Sequence, residues 1–351
     1  MMSRKTGASY YHRTWDYLED NSRESVKDLT EYQIIYPSKQ ERTKEVYSWE
    51  KESAVAQIPQ ALIWGKHGAV IAPNGKLIWD LSYEWFNKPE EHPFFYRDSN
   101  QKPQYVDAAL AMLTHPISHN YFHWLFEVLP RLDLIRQSRC QVDQYVVTKV
   151  QQPYQQESLS LLAIDQKDMV YTEPELYWQV RKVIAPTFLT GPSHWACQYL
   201  RHAFLPLLDL KSSRKNRIFI RRNNYRKIIN EEEVYGLLKK KGFQAVLLEK
   251  LSFLDQVRLF AEAEAVVGTH GAGLSNLVFC SKGCKVVELF PASYVWKHFE
   301  YISVCLDLDY KGLIGPAQEC DRQYKSWGLN NFDHLTVPVK ELEAMLVELK
   351  L

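Results

Sequence analysis

Hydrophobic positions along this chain follow two rhythms. Short apolar runs closed off by Gly, Pro, Asn or Asp read as buried strands, and longer stretches with apolar residues three and four apart read as helices. Residues 1–60 keep neither rhythm for long; they are polar, rich in Tyr and charge, and predict a partly ordered arm with short helical pieces. Between Ala61 and Tyr83 come Ala-Leu-Ile-Trp, Gly-Ala-Val-Ile-Ala, Pro-Asn-Gly and Lys-Leu-Ile-Trp-Asp, which predict a β-hairpin with an Asn-Gly turn. Pro89, Pro93 and Pro103 then make residues 87–104 a surface connection.

From Ala108 the two rhythms alternate. Residues 108–113 predict a strand, and Phe122, Leu125, Phe126, Leu129, Leu132 and Ile135 fall at helical spacing within 120–136, with Pro130 as a kink. Strands over 144–148, 169–172 and 182–185 and a helix over 156–163 continue a first α/β half, which a helix over 193–208 closes. The polar, basic residues 209–216 read as a linker. The second half repeats the plan, with strands over 217–221, 245–248, 265–268 and 285–289 and helices over 230–241, 252–261 and 274–279. Such alternation predicts parallel sheets with right-handed crossovers. The expected organisation is a polar arm over 1–60, a Rossmann-like domain with a leading hairpin over 61–208 and a second Rossmann-like domain over 209–351. Ligands are expected at the carboxyl ends of the strands, in a cleft between the halves.

Composition narrows the class. At 351 residues and 46% hydrophobic content the chain can bury two cores. Its 43 basic residues nearly cancel 42 acidic ones, so no global field favours nucleic acid, and none is expected as a partner. No apolar run approaches the roughly 20 residues that span a bilayer, and the first thirty residues lack a signal-peptide core, so a cytoplasmic chain without a transmembrane segment is expected. Six scattered cysteines form no Cys-x-x-Cys pair and predict free thiols, and the lack of an Asn-x-Ser/Thr sequon agrees with that compartment.

Three constellations carry the candidate chemistry. The first is Ser118-His-Asn-Tyr-Phe-His-Trp-Leu-Phe-Glu-Val-Leu-Pro-Arg-Leu, polar at the amino end of an apolar helix. With Asn120 near the N-cap, His123 and Glu127 lie one turn apart, close enough for the carboxylate to orient the imidazole as a proton acceptor. The competing reading is capping plus core packing. His115, His119 and His123 also recur every fourth residue, as metal ligands on a helix would, but Pro116 argues against helix at His115. In the second, Arg217-Ile-Phe-Ile-Arg-Arg, a strand emerges into a cationic loop where Arg221 or Arg222 can clamp a diphosphate bidentately. A solvated loop without chemistry is the alternative.

The third constellation is Val266-Val-Gly-Thr-His-Gly-Ala-Gly-Leu-Ser-Asn followed by Lys285-Val-Val-Glu. A strand enters the turn His270-Gly271-Ala272-Gly273, whose glycines admit a ligand close to the backbone, and a helix from Leu274 would aim its N–H groups at a phosphate. His270 can reach a phosphate or a sugar hydroxyl, Ser275 and Asn276 can donate from the first turn, and Glu288 at the end of the next strand suits a ribose diol. A strand-end surface carboxylate is the plainer reading of Glu288.

Jointly, Asn120-Tyr-Phe-His-Trp-Leu-Phe-Glu-Val-Leu-Pro-Arg-Leu, Ile218-Phe-Ile-Arg-Arg with Arg226 and Asn230-Glu-Glu-Glu, and Val267-Gly-Thr-His-Gly-Ala-Gly-Leu-Ser-Asn resemble glycosyltransferase family 61. That family includes bacterial capsular-polysaccharide proteins, plant xylan-decorating enzymes and protein O-linked N-acetylglucosaminyltransferases. The resemblance implies a GT-B fold and inverting transfer from a nucleotide sugar, usually a UDP-sugar, to a glycan hydroxyl, in a setting such as capsular or exopolysaccharide assembly at a membrane. It places diphosphate binding on Arg221 or Arg222 and on Gly271 to Ser275, and the acceptor-side motif on Asn120 and His123. His123 is the first choice of base with Glu127 orienting it, and Glu127, His119 and His270 remain open. No cofactor or divalent metal is expected, because GT-B transferases neutralise the leaving diphosphate with helix dipoles and cations. Asp307-Leu-Asp309 matches Asp-x-Asp but reads as a strand edge or loop.

Two other classes fit parts of the pattern. His-Gly-Ala-Gly resembles a hydrolase oxyanion loop, but no Gly-x-Ser-x-Gly nucleophile elbow exists in the chain. A binding protein that kept the cleft and lost turnover is the other.

Overall fold

The computed structural model describes residues 9–14, 16–17, 31–36, 53–84, 87–98, 100–149, 152–210, 216–320 and 332–351. The chain divides into two compact units, Met1–Gly191 and Pro192–Leu351. Much of the arm expected over 1–60, and residues 211–215 of the expected linker, lie outside the described residues.

The first unit is built on one mixed sheet. Its strands are β1 (Tyr10–Tyr11), β2 (Glu31–Tyr36), β3 (Ser53–Pro59), β4 (Leu62–Trp64), β5 (Ala69–Ile71), β6 (Leu77–Ile78), β7 (Gln104–Met112), β8 (Gln144–Thr148), β9 (Met169–Thr172) and β10 (Tyr177–Pro186). The order β10-β7-β8-β9 is parallel, whereas β3 and β4 join β10 antiparallel. The hairpin expected from Pro73-Asn-Gly is present as β5 and β6, with Gly75 at φ +84°, where a side chain is strained. The last residues assigned to the arm are instead sheet interior, because β3 is apolar and buried along nearly its whole length.

The helix carrying the first motif, α1, is α-helical at Tyr121–His123, π-helical at Trp124–Val128 and α-helical again at Leu129–Ser138. In the middle turn the Leu129 N–H donates to the carbonyl of Trp124, five residues back. Pro130 offers no N–H, and its ring crowds the carbonyl four residues earlier, so the expected kink takes the form of a widened turn. All five residues of that turn are buried. A second helix, α2, spans Pro153–Leu161.

In the second unit, α3 (His194–Phe204) precedes β11 (Asn216–Ile220), α4 (Glu231–Lys240), β12 (Gln244–Val246), α5 (Phe253–Ala261), β13 (Ala263–Thr269), β14 (Lys285–Pro291), α6 (His298–Cys305), β15 (Asp309–Gly315) and α7 (Val339–Glu348). The sheet is parallel in the order β12-β11-β13-β14-β15. Numbered within the unit that is 2-1-3-4-5, a doubly wound order whose switch point lies between β11 and β13. On one face Phe219, Val267, Val287 and Leu313 pack with Val234 and Leu238 of α4 and Leu342 and Leu346 of α7.

Two expectations are corrected here. The helix over 193–208 was assigned to the first half, but α3 belongs to the second unit: Ser193 caps it, and Phe204 packs edge-on against Phe253 of α5 at 4.8 Å and Phe279 at 6.2 Å. The helix expected from Leu274 is a 3-10 helix over Ala272–Phe279, two residues earlier and more tightly wound. The Asp-x-Asp pair is a loop and strand start as expected, with Asp307 bound to Lys282 and Asp309 opening β15 at the amino edge of the sheet. The six cysteines are free thiols, and among the described residues no helix is long and apolar enough to cross a membrane.

Candidate functional site

In the first unit one carboxylate organises two imidazoles. Oε2 of Glu127 lies 2.7 Å from His123 Nδ1 and 2.9 Å from His115 Nε2, while the Gly191 N–H donates to Oε1 at 2.8 Å. The two rings stack at 5.6 Å with 19° between their planes. His115 follows β7, and its Nδ1 accepts from the Ile117 N–H at 3.3 Å, so its Nε2 carries the proton donated to Glu127. His123 likewise donates from Nδ1, which leaves Nε2 as its basic nitrogen.

Burial by itself would raise the Glu127 carboxyl, but hydrogen bonds from His115 and His123 outweigh it and bring it down to about 2. The group is therefore an anion under all ordinary conditions. Burial lowers His115 below the usual imidazole range, so it serves Glu127 as a neutral donor. Partial desolvation, with the nearby His123 and His67, also lowers His119, whose carbonyl accepts from Tyr154 Oη at 2.6 Å. Beneath the cluster Arg131 is buried and donates to the carbonyls of Thr114 at 2.7 Å and Pro186 at 3.2 Å, tying the ends of β7 and β10 together. The widened turn of α1 holds Glu127 between these strand ends. Asn120 acts as the N-cap, its side chain accepting from the Phe122 N–H at 3.0 Å.

His115, His123 and Glu127 also form a group that could hold a metal ion, their ligand atoms lying within 4.8 Å of one another. The fourfold spacing of His115, His119 and His123 is not what unites them. His115 lies before the helix, as Pro116 requires, and Glu127 takes the place the spacing gave to His119.

In the second unit the loop after β11 meets the turn after β13, at the switch point of the sheet. Arg222 Nη1 and Arg226 Nη1 both donate to the carbonyl oxygen of His270, at 3.2 and 3.1 Å. Burial lowers both guanidiniums, Arg226 to about 10 with Arg222 adding to the effect, yet both remain cations at neutral pH. Arg226 stands at φ +53°, a left-handed conformation uncommon outside glycine, and its guanidinium lies 4.5 Å over the Tyr294 ring. Arg221 is turned away and pairs with Glu231 on α4. Of the two arginines expected to clamp a diphosphate, only Arg222 reaches the turn, and Arg226 takes the second place.

Below the turn His270 is enclosed by Phe290, Tyr294 and Phe299, with ring centres at 5.2–5.4 Å, and its Nδ1 lies 2.5 Å from Glu288 Oε1. Tyr310 Oη donates to the other Glu288 oxygen at 2.7 Å. Burial pushes the Glu288 carboxyl well up and the His270 imidazole well down. Both shifts favour the uncharged forms of the pair over an ion pair.

The role expected for Glu288 is thereby corrected: it is fully buried in mid-strand, in register with Gly268 and Gly312, with both oxygens engaged, and does not present a carboxylate to a ribose. Ser275 and Asn276 are corrected too. Both are fully buried, Asn276 bracing the turn through Gln256 at 3.0 Å and the Gly273 carbonyl at 3.2 Å, while Ser275 Oγ has no hydrogen-bond partner among the described residues. The early, tight 3-10 start turns them under the loop. What remains for an anion is the backbone of Gly271 to Gly273 with the two guanidiniums, since the Leu274 N–H donates to the Gly271 carbonyl at 2.9 Å. His115, Gly191, Arg226 and Tyr310 were not singled out for these roles by sequence. Arg226 alone left a signal, one turn beyond Arg222 in a cationic loop.

Residues 121–287 match the family model described as Glycosyltransferase 61. Over this segment, a little under half of the chain, the protein is similar to glycosyltransferase family 61. The matched segment contains His123, Glu127, both arginines and the whole turn. Over 141 residues the chain is 31% identical to Beta-1,2-xylosyltransferase of Arabidopsis thaliana, covering 32% of this chain and 26% of that protein. It is 31% identical over 121 residues to Beta-1,2-xylosyltransferase RCN11 of Oryza sativa subsp. japonica, covering 29% and 23%. It is 36% identical over 78 residues to the EGF domain-specific O-linked N-acetylglucosamine transferase of Bos taurus, covering 21% and 15%. The matched part of the chain thus spans about a quarter of the length of these relatives, or less.

Proposed function

We propose that this chain is a family 61 glycosyltransferase that moves a sugar, with inversion, from a UDP-sugar to a hydroxyl of a glycan acceptor. The observation that carries the reading is the convergence of Arg222 and Arg226 on the His270 carbonyl at the switch point. Two guanidiniums, that of a buried Arg226 and that of a half-buried Arg222, donating to one neutral oxygen repel each other, and a dianion at the turn would relieve that repulsion. In this reading they hold the diphosphate of the donor together with the N–H groups of Gly271, Ala272 and Gly273.

His123 supplies the base. Its Nε2 takes the acceptor proton as the acceptor oxygen attacks the anomeric carbon, the bond from that carbon to the diphosphate breaks on the opposite face, and Arg222 and Arg226 receive the charge of the leaving group. Glu127, already anionic, stabilises the imidazolium through Nδ1. The two sites belong to different units, and the resemblance to family 61 is what assigns both to one transfer. We take the reaction to be metal-independent, since cations and backbone donors stand at the leaving group.

We place the protein in the cytoplasm, peripheral to a membrane-bound assembly for capsular or exopolysaccharide. A thermal-shift panel of nucleotide sugars, followed by product analysis with the best donor, tests the reading. A donor bound by the native state raises the melting temperature according to its affinity. If no nucleotide sugar does so and none is consumed, the reading is wrong.

A further inference from the structure

Beyond the turn, a row of aromatic rings leads outward from His270. Tyr294, in the segment after β14, stands edge-on to the His270 ring at 5.4 Å and beneath the Arg226 guanidinium at 4.5 Å. Trp296 follows at 6.1 Å from Tyr294, and His298, the first residue of α6, stacks on Trp296 at 5.5 Å with 19° between the planes. Trp296 is nevertheless 49% exposed, with Tyr294 and His298 both beside the indole. A large flat ring held by neighbouring rings yet left half-exposed is a costly surface feature unless something covers it.

We propose that Trp296 is the stacking platform for the nucleobase of the donor nucleotide. This rests on the donor-site reading above. The segment leaves β14 at its carboxyl end, the edge of the sheet on which the Arg222 loop and the turn also lie. Trp296 is two ring steps, of 5.4 and 6.1 Å, from the histidine whose carbonyl the arginines hold, within reach of a nucleoside attached to a diphosphate seated there. A diphosphate divides its donor into a sugar end, which must face the acceptor, and a nucleoside end, which stays with the protein throughout. The exposed neighbours Val295 and Trp296 suit the flat, apolar face of a base better than a sugar, whose hydroxyls need polar partners. The indole would read aromatic area rather than base edges, so it would give affinity with little choice among bases, and specificity would come from elsewhere in the loop.

Calorimetric titration of the full chain and its Trp296→Ala and Trp296→Phe variants with UDP, GDP, ADP and inorganic pyrophosphate tests the proposal. Trp296→Ala is expected to weaken the tightest nucleoside diphosphate about tenfold or more, Trp296→Phe to restore most of that loss, and pyrophosphate to bind all three proteins alike. Equal nucleotide affinity in Trp296→Ala overturns the platform, and so does an equal loss for pyrophosphate, which would mean the substitution had disturbed the turn. A wild-type protein that binds pyrophosphate as tightly as any nucleotide also overturns the platform while leaving the diphosphate site standing. One that binds neither overturns both.

Discussion

The guanidinium of Arg222 occupies the space that a side chain on Gly271 would need: a Cβ built there lies 1.7 Å from Arg222 Nη1. The glycine is thus a steric requirement of the arginine's position, independent of any special backbone angle. Gly271→Ala should expel the guanidinium from the turn and weaken UDP binding roughly 10- to 100-fold, the worth of a charge-assisted contact. Calorimetry on the folded variant checks this, and unchanged affinity would show that Arg222 does not hold the donor.

Arg226 should matter as much as Arg222, and Arg221 little. Alanine at Arg222 or Arg226 is expected to cost roughly tenfold or more in UDP affinity. Arg221→Ala, which removes only the exposed pairing with Glu231, should leave affinity within about twofold. The reverse ranking in the same titrations would restore the clamp to Arg221.

His123→Ala should leave UDP binding nearly intact while lowering turnover at least about 100-fold, because a base acts on the acceptor. Comparing calorimetry with a transfer assay separates the two effects. Full turnover in the variant would move the base to another residue, with His119 next in line.

Glu127 makes a distinct prediction for stability. Its folded pKa of about 2 lies below the ordinary 4.5, so its contribution is present above pH 4.5 and is lost as pH falls toward 2. At neutral pH that difference is worth about 3 kcal/mol. Denaturant melts of wild type and Glu127→Gln should therefore differ most near pH 6 and draw together between pH 4.5 and 2. A gap that stays constant across that range would show that the carboxylate is not held as an anion.

The cluster of His115, His123 and Glu127 also puts metal independence at risk in a useful way. Transfer is expected to continue at full rate after exhaustive treatment with EDTA. Loss of activity that zinc or manganese restores would assign a metal to this cluster, within whose 4.8 Å its ligand atoms converge.

Much of this was legible along the chain. Strand and helix rhythms placed most elements within a few residues, the Pro73-Asn-Gly turn fell where a left-handed residue was needed, and the pair His123 and Glu127 followed from one turn of helical spacing. The errors share a cause. Glu288 read as a strand-end carboxylate because alternation says which face a residue takes and not what covers that face. Ser275 and Asn276 read as ligand donors because periodicity does not distinguish an α-helical start from a 3-10 one. The boundary near 208 followed composition, whereas the unit to which α3 belongs was decided by Phe204 packing on Phe253 and Phe279.

By itself, then, the sequence determined what is local: the alternation of strand and helix, the glycine turn, the cap at Asn120 and the one-turn spacing of His123 and Glu127. Only the tertiary structure decided which distant groups meet. The 2-1-3-4-5 sheet order sets the loop after β11 beside the turn after β13, and so selects Arg222 and Arg226 over Arg221. Residue spacing records where a side chain points from its own element, while the neighbours it finds depend on strand order and packing across the fold. For the same reason His115, separated from Glu127 by a proline and a turn, appears as its partner only once β7 and α1 are placed together.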